Sequence, residues 1–414
     1  MSTDDLRMDR RKFLGGAAGV AGAAAFATWA PGAFSRPGGP NAPLVTKASL
    51  SAQHFSVRDA TARLDKSVKG YLGGPTFPDD PTDLGPLVDL PGGFAAVFDF
   101  LGECGYGGFE FFQYTQAAGT LGGRQPTTAE IRSYLDHAGL TSTGTHTGGL
   151  GMTNAGTRAT QLALADGLGH KMIGTAGDPV TGVGANLLAN WQTACDQYSA
   201  LGELMLETYG IKVYLHPEQN NWNFFNDPAH PELSRKHRID FFIEHTDARY
   251  VFFEPDVYHM YNARGRFPDP VDGSLWDAEG FLKSNWKRLV AWHVKDANRT
   301  TPTPAPPGNP FIQTWTRTGF PINGGQDVIY STEGHLGKGY PADPGSTAPG
   351  ARPGPDPTVI GFKRLFDETR SNRAKGYKFH VVETDSGGTN PASLDPGRSL
   401  RHAKISAKLL LGLK

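Results

Sequence analysis

Side chains that bind cations and transfer protons recur in this sequence directly after short runs of β-branched and aromatic residues. His216 ends one such run with Glu218 two residues later, and Asp256 and His259 follow another. Four other runs end at Glu110, at His146, at His293 with Lys295, and at Glu383. Carboxylates and imidazoles are general acids and bases of enzymes and ligands of divalent cations. The pattern therefore predicts a site of acid–base or metal-assisted chemistry.

The spacing within these groups places pairs of polar side chains on one side of a strand, because residues two apart on a strand point the same way. The pairs are His216 with Glu218, His293 with Lys295, and Glu383 with Asp385. Such a mixture of carboxylates and imidazoles suits Mn, Co, Mg or Zn acting as a Lewis acid. It does not suit haem or an iron–sulfur cluster, and the two cysteines are too few for a four-thiolate zinc site.

Eight β-type runs alternate with helical segments along the chain. The runs cover residues 49–57, 108–112, 142–146, 171–174, 212–216, 250–254, 290–294 and 379–383. The helical segments cover residues 94–103, 128–137, 185–208, 231–244, 275–287, 359–375 and 400–411. This alternation predicts an α/β fold of the (β/α)8 TIM-barrel type, whose active site lies at the C-terminal ends of the strands. A doubly wound sheet, the alternative, would need a Gly-rich phosphate turn after its first strand.

Two kinds of residue mark the predicted helix boundaries. Thr127 or Thr128 is placed to cap the start of the second helix. Gly139 and Gly376 stand where helices should end, because glycine adopts the left-handed conformation that closes a helix.

The first forty residues predict an export signal and linker rather than part of the barrel. A twin-arginine pair at residues 10–11 precedes an uncharged, Ala- and Gly-rich run at 13–30 that is too short and too weakly apolar for a comfortable membrane span. We expect the twin-arginine export machinery to recognise it and to deliver the protein to the periplasm or outside the cell, without a stable membrane anchor. A retained tethering helix is the alternative. Residues 1–40 would then be the signal, and residues 41–414 the barrel.

One segment interrupts the alternation of strands and helices. Residues 301–357 hold 12 of the 31 prolines, so regular structure is not expected there. Because the segment follows the seventh predicted strand, we expect a loop insertion over the barrel mouth. Trp315, Phe320 and Tyr330 give that loop aromatic groups to bury.

The charge balance bears on the partners of the protein. Forty Lys and Arg residues against 41 Asp and Glu residues give a formal net charge of −1. No overall positive field attracts a polyanion, so we expect no nucleic-acid partner. The sequence leaves homo-oligomer formation open.

Short motifs follow one another in order along residues 48–412. They are residues 51–59, Gly105-Tyr106-Gly107-Gly108-Phe109-Glu110, Ala138-Gly139-Leu140 before His146, Asp256-x-x-His259, His293-x-Lys295-Asp296, Gly337-Lys338-Gly339 and Val382-Glu383-x-Asp385. At these strand ends the set resembles the xylose-isomerase-like barrel superfamily, in its sugar isomerase/epimerase branch.

The resemblance implies one divalent cation at the barrel mouth. Asp256, His293 and Glu383 match three of the four ligands of that family, and the fourth falls on His216 or on Glu218. The epimerases of the family use two carboxylates on opposite sides of the substrate. Here those two would be Glu383 and Glu218.

Further roles come from the resemblance and from the positions of polar and aromatic residues. His259 resembles the contact of the family to a substrate hydroxyl, and Lys295 a stabiliser of enolate charge. We expect His146 and Glu110, at their strand ends, to contact substrate as well. Trp222 is one of several aromatics near strand ends that would stack on a sugar face.

The resemblance implies a carbohydrate isomerase or epimerase that moves a proton beside a metal-bound carbonyl through an enediolate. The first alternative is a metal-dependent lyase or dehydratase acting on a keto-sugar, an inosose or a 3-keto-glycoside. A metal phosphodiesterase of the apurinic-endonuclease type and a non-catalytic carbohydrate-binding barrel are more remote. The expected partner is in each leading case a small carbohydrate.

Overall fold

Eight strands form where the eight β-type runs predict them. The computed structural model describes residues 43–63, 68–74, 84–116, 124–177, 179–295, 300–303, 314–317, 365–366, 379–384 and 396–413. The strands are β1 (Leu50–Gln53), β2 (Gly108–Phe111), β3 (Thr141–Thr145), β4 (Met172–Ala176), β5 (Lys212–His216), β6 (Val251–Phe253), β7 (Ala291–Val294) and β8 (Phe379–Val382). The first is shorter than the predicted 49–57, because the Gln53 side chain caps a helix that begins at His54.

The strands form one parallel sheet that curls into a barrel. Their order is β6-β5-β4-β3-β2-β1-β8-β7, and each neighbouring pair is parallel. The two ends of this order meet, because the Val290 amide donates to the Phe253 carbonyl at 3.0 Å and the His293 amide to the Pro255 carbonyl at 2.9 Å. The predicted TIM-barrel fold is confirmed.

Helices connect the strands around the outside. They are α1 (His54–Ala62), α2 (Gly93–Cys104), α3 (Thr128–Ala138), α4 (Ala155–Leu168), α5 (Leu188–Tyr209), α6 (Arg238–His245), α7 (Val257–Arg266), α8 (Ala278–Asn285) and α9 (Arg398–Leu411). Thr127 caps α3 through a capping box with Glu130, and Gly139 ends that helix at a φ of 67°, as predicted. The sequence patterns missed α1, α4 and α7, and they placed the start of α6 at 231, where there is only a short 3-10 turn, Pro231–Leu233.

Two short ribbons lie outside the barrel. Lys69–Tyr71 pairs antiparallel with Leu87–Asp89, and Thr300–Thr303 pairs antiparallel with Thr314–Arg317. The predicted signal at 1–40, the rest of the 301–357 insertion, most of the predicted helix at 359–375, and Gly376, Asp296 and Asp385 lie outside the described residues. Within the described part of the chain, the helices are all too short or too polar to cross a membrane.

The barrel interior is filled by alternate residues of the strands. Val213 and Leu215 of β5 belong to the large core that packs against the helices, so Tyr214 and His216 face the interior. The Tyr214 ring crosses the interior and packs against β4, where Gly174 makes room for it. A Cβ atom built on Gly174 would lie 2.3 Å from the ring carbons Cδ2 and Cε2 of Tyr214.

The absence of a side chain at Gly174 is therefore expected to matter for stability. Gly174→Ala forces a methyl group against the buried ring of Tyr214, and such overpacking typically lowers the free energy of unfolding by about 1–3 kcal/mol. Gly151→Ala is the matched control, because the nearest atom to its Cβ is 3.9 Å away in an exposed turn. Urea denaturation of both variants measures the difference. Equal stability of the two would show that the Tyr214 ring is not fixed against β4.

Candidate metal and active site

The C-terminal ends of the strands bring polar side chains from six of them to one place. Glu110 ends β2, His146 follows β3, and His216 ends β5. Glu254 and Asp256 follow β6, His293 belongs to β7 with Lys295 after it, and Glu383 follows β8. All eight side chains are buried. The barrel thus assembles these residues across 274 positions of sequence, from 110 to 383.

Four of these residues form a cluster that we name the mouth cluster: His216, Asp256, His293 and Glu383. Each offers one ligand atom, and the four atoms lie within 4.8 Å of one another. The His293 Nδ1 atom contacts the Glu383 carboxylate directly. Asp256 also caps α7, because its Oδ1 accepts the His259 amide at 3.1 Å. These are the spacing and the donor types of a site for a single cation.

A second group, the inner network, consists of Glu110, His146, Glu254 and Tyr214. The His146 Nε2 atom lies 2.9 Å from Glu254 Oε2 and 3.1 Å from Glu110 Oε2. The Tyr214 hydroxyl donates to Glu110 Oε1 at 2.8 Å. His293 joins the two groups, because its Nε2 lies 3.0 Å from Glu110 Oε2 while its Nδ1 faces Glu383.

The mouth cluster contains both protonated and unprotonated groups at neutral pH. Burial, with a further contribution from Glu383, raises the pKa of Asp256 to about 7. Burial disfavours ionised Glu383, yet Lys295 and His293 hold its pKa well below the usual range. Burial also opposes the charged form of His293, but Glu254 and Glu383 raise its pKa well above 6.5. Burial and the neighbouring imidazoles lower the pKa of His216 well below 6.5 and keep it neutral.

The inner network distributes its charge in a similar way. Burial opposes protonation of His146, but the carboxylates of Glu110 and Glu254 raise its pKa to about 9. Burial opposes ionisation of Glu110, and His146 and His293 nevertheless lower its pKa well below 4.5. Burial and the charge of Glu110 raise the pKa of Glu254. The His146 imidazole, whose charged form these neighbours favour, therefore lies between Glu110 and Glu254.

Unsatisfied polar atoms test whether a cation fits the mouth cluster. In the mouth cluster, His216 Nδ1 and Asp256 Oδ2 are buried with no hydrogen-bond partner among the described residues. A buried polar atom without a partner costs about 1–3 kcal/mol, and a cation is a partner that nitrogen and carboxylate oxygen can share. The donor set, two imidazoles and two carboxylates, fits a divalent cation of the Mn, Co or Zn type.

Two further residues that the sequence singled out lie beside the cluster. Lys295 is buried and donates from Nζ to Glu383 Oε1 at 3.2 Å. Its Nζ also lies 5.4 Å from the centre of the Tyr258 ring. The His259 Nε2 atom lies 3.8 Å from Asp256 Oδ2, and its side chain is 18% exposed.

The structure brings together most, but not all, of the predicted site residues. Between the two alternatives for the strand-five ligand, His216 lies in the mouth cluster, whereas partly exposed Glu218 is not among its four donors. Trp222 is fully buried and packs against Trp276 with ring centres 5.7 Å apart. Its proposed stacking on a substrate would require the ring to be uncovered and stays a prediction.

Two residues of the site were not predicted from the sequence. Glu254 precedes Asp256 by two residues, and that same-side spacing, already used for other pairs, could have identified it. Tyr214 gave no such signal, because an aromatic residue inside a hydrophobic run is normally core. Only the path of its ring across the barrel places its hydroxyl beside Glu110.

The chain belongs to the xylose isomerase-like TIM barrel family, which it matches over residues 98–329, more than half of its length. It matches no curated protein sequence. A sugar phosphate isomerase/epimerase from Parabacteroides distasonis ATCC 8503 shares the fold, with 14% identity and a TM-score of 0.52 over 89% of this chain and 96% of that chain.

Two other solved structures are more distantly similar. One is the probable 3-DHS dehydratase AsbF from Bacillus anthracis, with 14% identity and a TM-score of 0.48 over 87% of this chain and 98% of that chain. The other is the 3-keto-D-glucoside 4-epimerase YcjR from E. coli, with 17% identity and a TM-score of 0.39 over 76% of this chain and 94% of that chain. At these identities the likeness concerns the fold alone.

Cation binding by the mouth cluster is expected to need His293 and to strengthen with pH. His293→Ala should abolish tight Mn²⁺ binding measured by calorimetry. His170 is another buried histidine, hydrogen-bonded to Ser142 near the start of β3, and His170→Ala should leave the binding unchanged. A cation competes with protons for Asp256, whose pKa is about 7, and for His293, whose pKa is raised. Affinity should therefore be higher at pH 8 than at pH 6, with proton release on binding. Unchanged binding in His293→Ala would place the cation elsewhere.

Proposed function

We propose that this protein is a divalent-metal-dependent sugar isomerase or epimerase that transfers a proton at a carbon next to a carbonyl. The observation that carries the proposal is the position of Glu383. Its carboxylate contacts His293 of the mouth cluster through one oxygen and Lys295 through the other. With an 11% exposed side chain it is also more open than Glu110, Glu254 and Asp256, which are fully buried.

The mouth cluster would hold the cation through His216, Asp256, His293 and Glu383. When bound, a divalent cation supplies Lewis acidity that acidifies a C–H group beside a carbonyl. Neighbouring carbonyl and hydroxyl oxygens of a sugar are the type of group that such a cation can chelate. A carbohydrate is therefore the substrate class that the site suits, in line with the motifs of the sequence.

Glu383 is the proton acceptor of this proposal. Its pKa, held well below 4.5 by Lys295 and His293 against the effect of burial, keeps the carboxylate ionised at neutral pH. Glu383 takes the proton from carbon and returns it to the next carbon for isomerisation, or to the opposite face for epimerisation.

Lys295 stabilises the charge that develops during this transfer. Its ammonium group donates to Glu383 Oε1 at 3.2 Å before the proton moves. When Glu383 becomes neutral, the negative charge passes to the enediolate oxygen of the substrate. A buried ammonium group beside that oxygen stabilises the negative charge more strongly than a solvated ammonium group would. Lys295 is therefore a charge-stabilising residue in the proposal.

A lyase or dehydratase is the second candidate, and one observation favours it. An epimerase of this type needs a second carboxylate across the substrate, but Glu218 lies outside the mouth cluster. His259, 3.8 Å from Asp256, is instead an imidazole that can protonate a leaving hydroxyl or glycosidic oxygen. Elimination from a keto-sugar, an inosose or a 3-keto-glycoside begins with the same proton abstraction by Glu383.

Glu383→Gln is expected to test both reactions at their shared step. The amide keeps the size of the side chain but removes its charge and most of its basicity, so turnover should fall at least about 10²–10⁴-fold. Assays use a panel of ketoses, aldoses and glycosides with saturating Mn²⁺, and product mass and stereochemistry separate isomerisation from elimination. Deuterium uptake from solvent reports proton abstraction.

Glu203→Gln, an exposed carboxylate on α5, serves as the control and should behave as the wild type. Cation content of each variant is measured in parallel. If Glu383→Gln kept its cation and near-normal turnover, another group would have to be the base. Failure of every carbohydrate to react with the metal-loaded wild type would reject the proposed substrate class.

A further inference from the structure

We infer that Glu110 is a positioning residue: it accepts a hydrogen bond from His293 Nε2, keeps a proton on that nitrogen, and so makes Nδ1 the nitrogen that would bind a cation at the mouth cluster. The inference rests on the proposed function, since it concerns the same cation site. It replaces the direct substrate contact that the sequence suggested for Glu110. The carboxylate acts through the histidine instead.

The two nitrogens of His293 face different groups. Nδ1 contacts the Glu383 carboxylate, so this nitrogen lies on the side of the mouth cluster. Nε2 lies 3.0 Å from Glu110 Oε2 on the side of the inner network. Both nitrogens face a carboxylate, so both can be protonated when no cation is bound. A cation on the side of the mouth cluster would take the place of the proton on Nδ1, and the Glu110 acceptor would hold the remaining proton on Nε2. Nδ1 is then the nitrogen that can bind a cation.

Distance identifies Glu110, rather than Glu254, as the acceptor. The Glu254 Oε2 atom lies 3.6 Å from His293 Nε2, which is too far for a hydrogen bond, and the same oxygen is 2.9 Å from His146 Nε2. Glu110 Oε2 at 3.0 Å is within hydrogen-bond range. Glu110 itself is fully buried, so a substrate hydroxyl would reach it only if the network rearranged.

Glu110 is held in place from the opposite side. Its Oε1 accepts from the Tyr214 hydroxyl at 2.8 Å, and that hydroxyl also lies 3.1 Å from the Thr145 carbonyl. The Tyr214 ring has no room to move toward β4, where Gly174 lies against it. The chain of contacts therefore runs from a fixed ring through Glu110 to the imidazole of His293.

The Tyr214 hydroxyl makes a conservative replacement of Glu110 informative. In Glu110→Gln the amide oxygen can still accept from His293 Nε2. The amide NH₂ group can then donate to the Tyr214 hydroxyl, which donates its own proton to the Thr145 carbonyl. Glu110→Met has similar length and no acceptor. The pair separates loss of the hydrogen bond from loss of volume.

The experiment measures Mn²⁺ affinity and stoichiometry of the full chain by calorimetry, for the wild type and both variants. Loss of such a supporting carboxylate typically weakens metal binding about 10–100-fold, so we expect that loss in Glu110→Met and a substantially smaller one in Glu110→Gln. Circular dichroism and unfolding without metal establish that each variant is folded. Should Glu110→Met not fold, Tyr214→Phe, which removes only the anchoring hydroxyl, is expected to weaken binding by a smaller factor.

A spectroscopic readout addresses the tautomer directly. Histidine-selective ¹⁵N labelling of the Zn²⁺-loaded protein, with His293→Gln for assignment, should show a protonated Nε2 and an unprotonated Nδ1 for His293. In Glu110→Met the Nε2 signal should shift or broaden, whereas in Glu110→Gln it should stay close to that of the wild type. A purely structural role for Glu110 would leave this Nε2 signal unchanged in every folded variant.

Several outcomes would overturn the inference. Wild-type affinity in folded Glu110→Met would do so, as would equal losses in Glu110→Gln and Glu110→Met, which would show that charge matters and not the acceptor. Two cations in the wild type and one in Glu110→Met would make Glu110 a ligand. A wild type that binds no cation would reject both this inference and the proposed function. The expected binding results without turnover of any carbohydrate would support the inference and reject only the proposed function.

Discussion

Burial of carboxylates beside imidazoles constrains this end of the barrel more than any other interaction. Glu110, Glu254 and Asp256 are fully buried and Glu383 nearly so. An unpaired buried charge costs on the order of several kcal/mol, so each carboxylate needs a proton, a cationic partner or a metal ion. Among the described residues, His146, His293 and Lys295 provide cationic partners, and a divalent cation would offset the remaining charge.

The barrel supplies the precision that these pairs need. Successive parallel strands deliver their last residues to one end, so short turns can hold side chains that are far apart in sequence. A bulge refines the arrangement: Phe109 pairs with Ser142 but Glu110 with Gly144, so Thr143 is an extra residue in β3. Gly144 then stands opposite Glu110, and no β3 side chain at that register separates it from the Tyr214 hydroxyl.

Membership of the family defines the scaffold, whereas the reaction depends on a few side chains at its mouth. The proposed proton transfer beside a carbonyl needs a cation, an ionised base and a nearby positive charge. Glu383 belongs to the mouth cluster, and Lys295 donates a hydrogen bond to it. Isomerisation and elimination diverge only after the first proton transfer. In the proposed mechanism the second acid or base, Glu218 or His259, distinguishes the two reactions, and neither residue belongs to the mouth cluster.

The sequence by itself determined the barrel and the strand ends that carry its chemistry, because β-type runs, helical periodicity and same-side spacing are local properties of the chain. His293, Asp256 and Glu383 could be singled out in this way. Tertiary structure alone decided that His216, and not Glu218, joins them, since His216 ends β5 and is buried, whereas Glu218 lies beyond the end of the strand and is partly exposed. It also decided the link from Tyr214 through Glu110 to His293. The two contacts of this link join residues that are 104 and 183 positions apart in the sequence, and no local pattern encodes pairings over such separations.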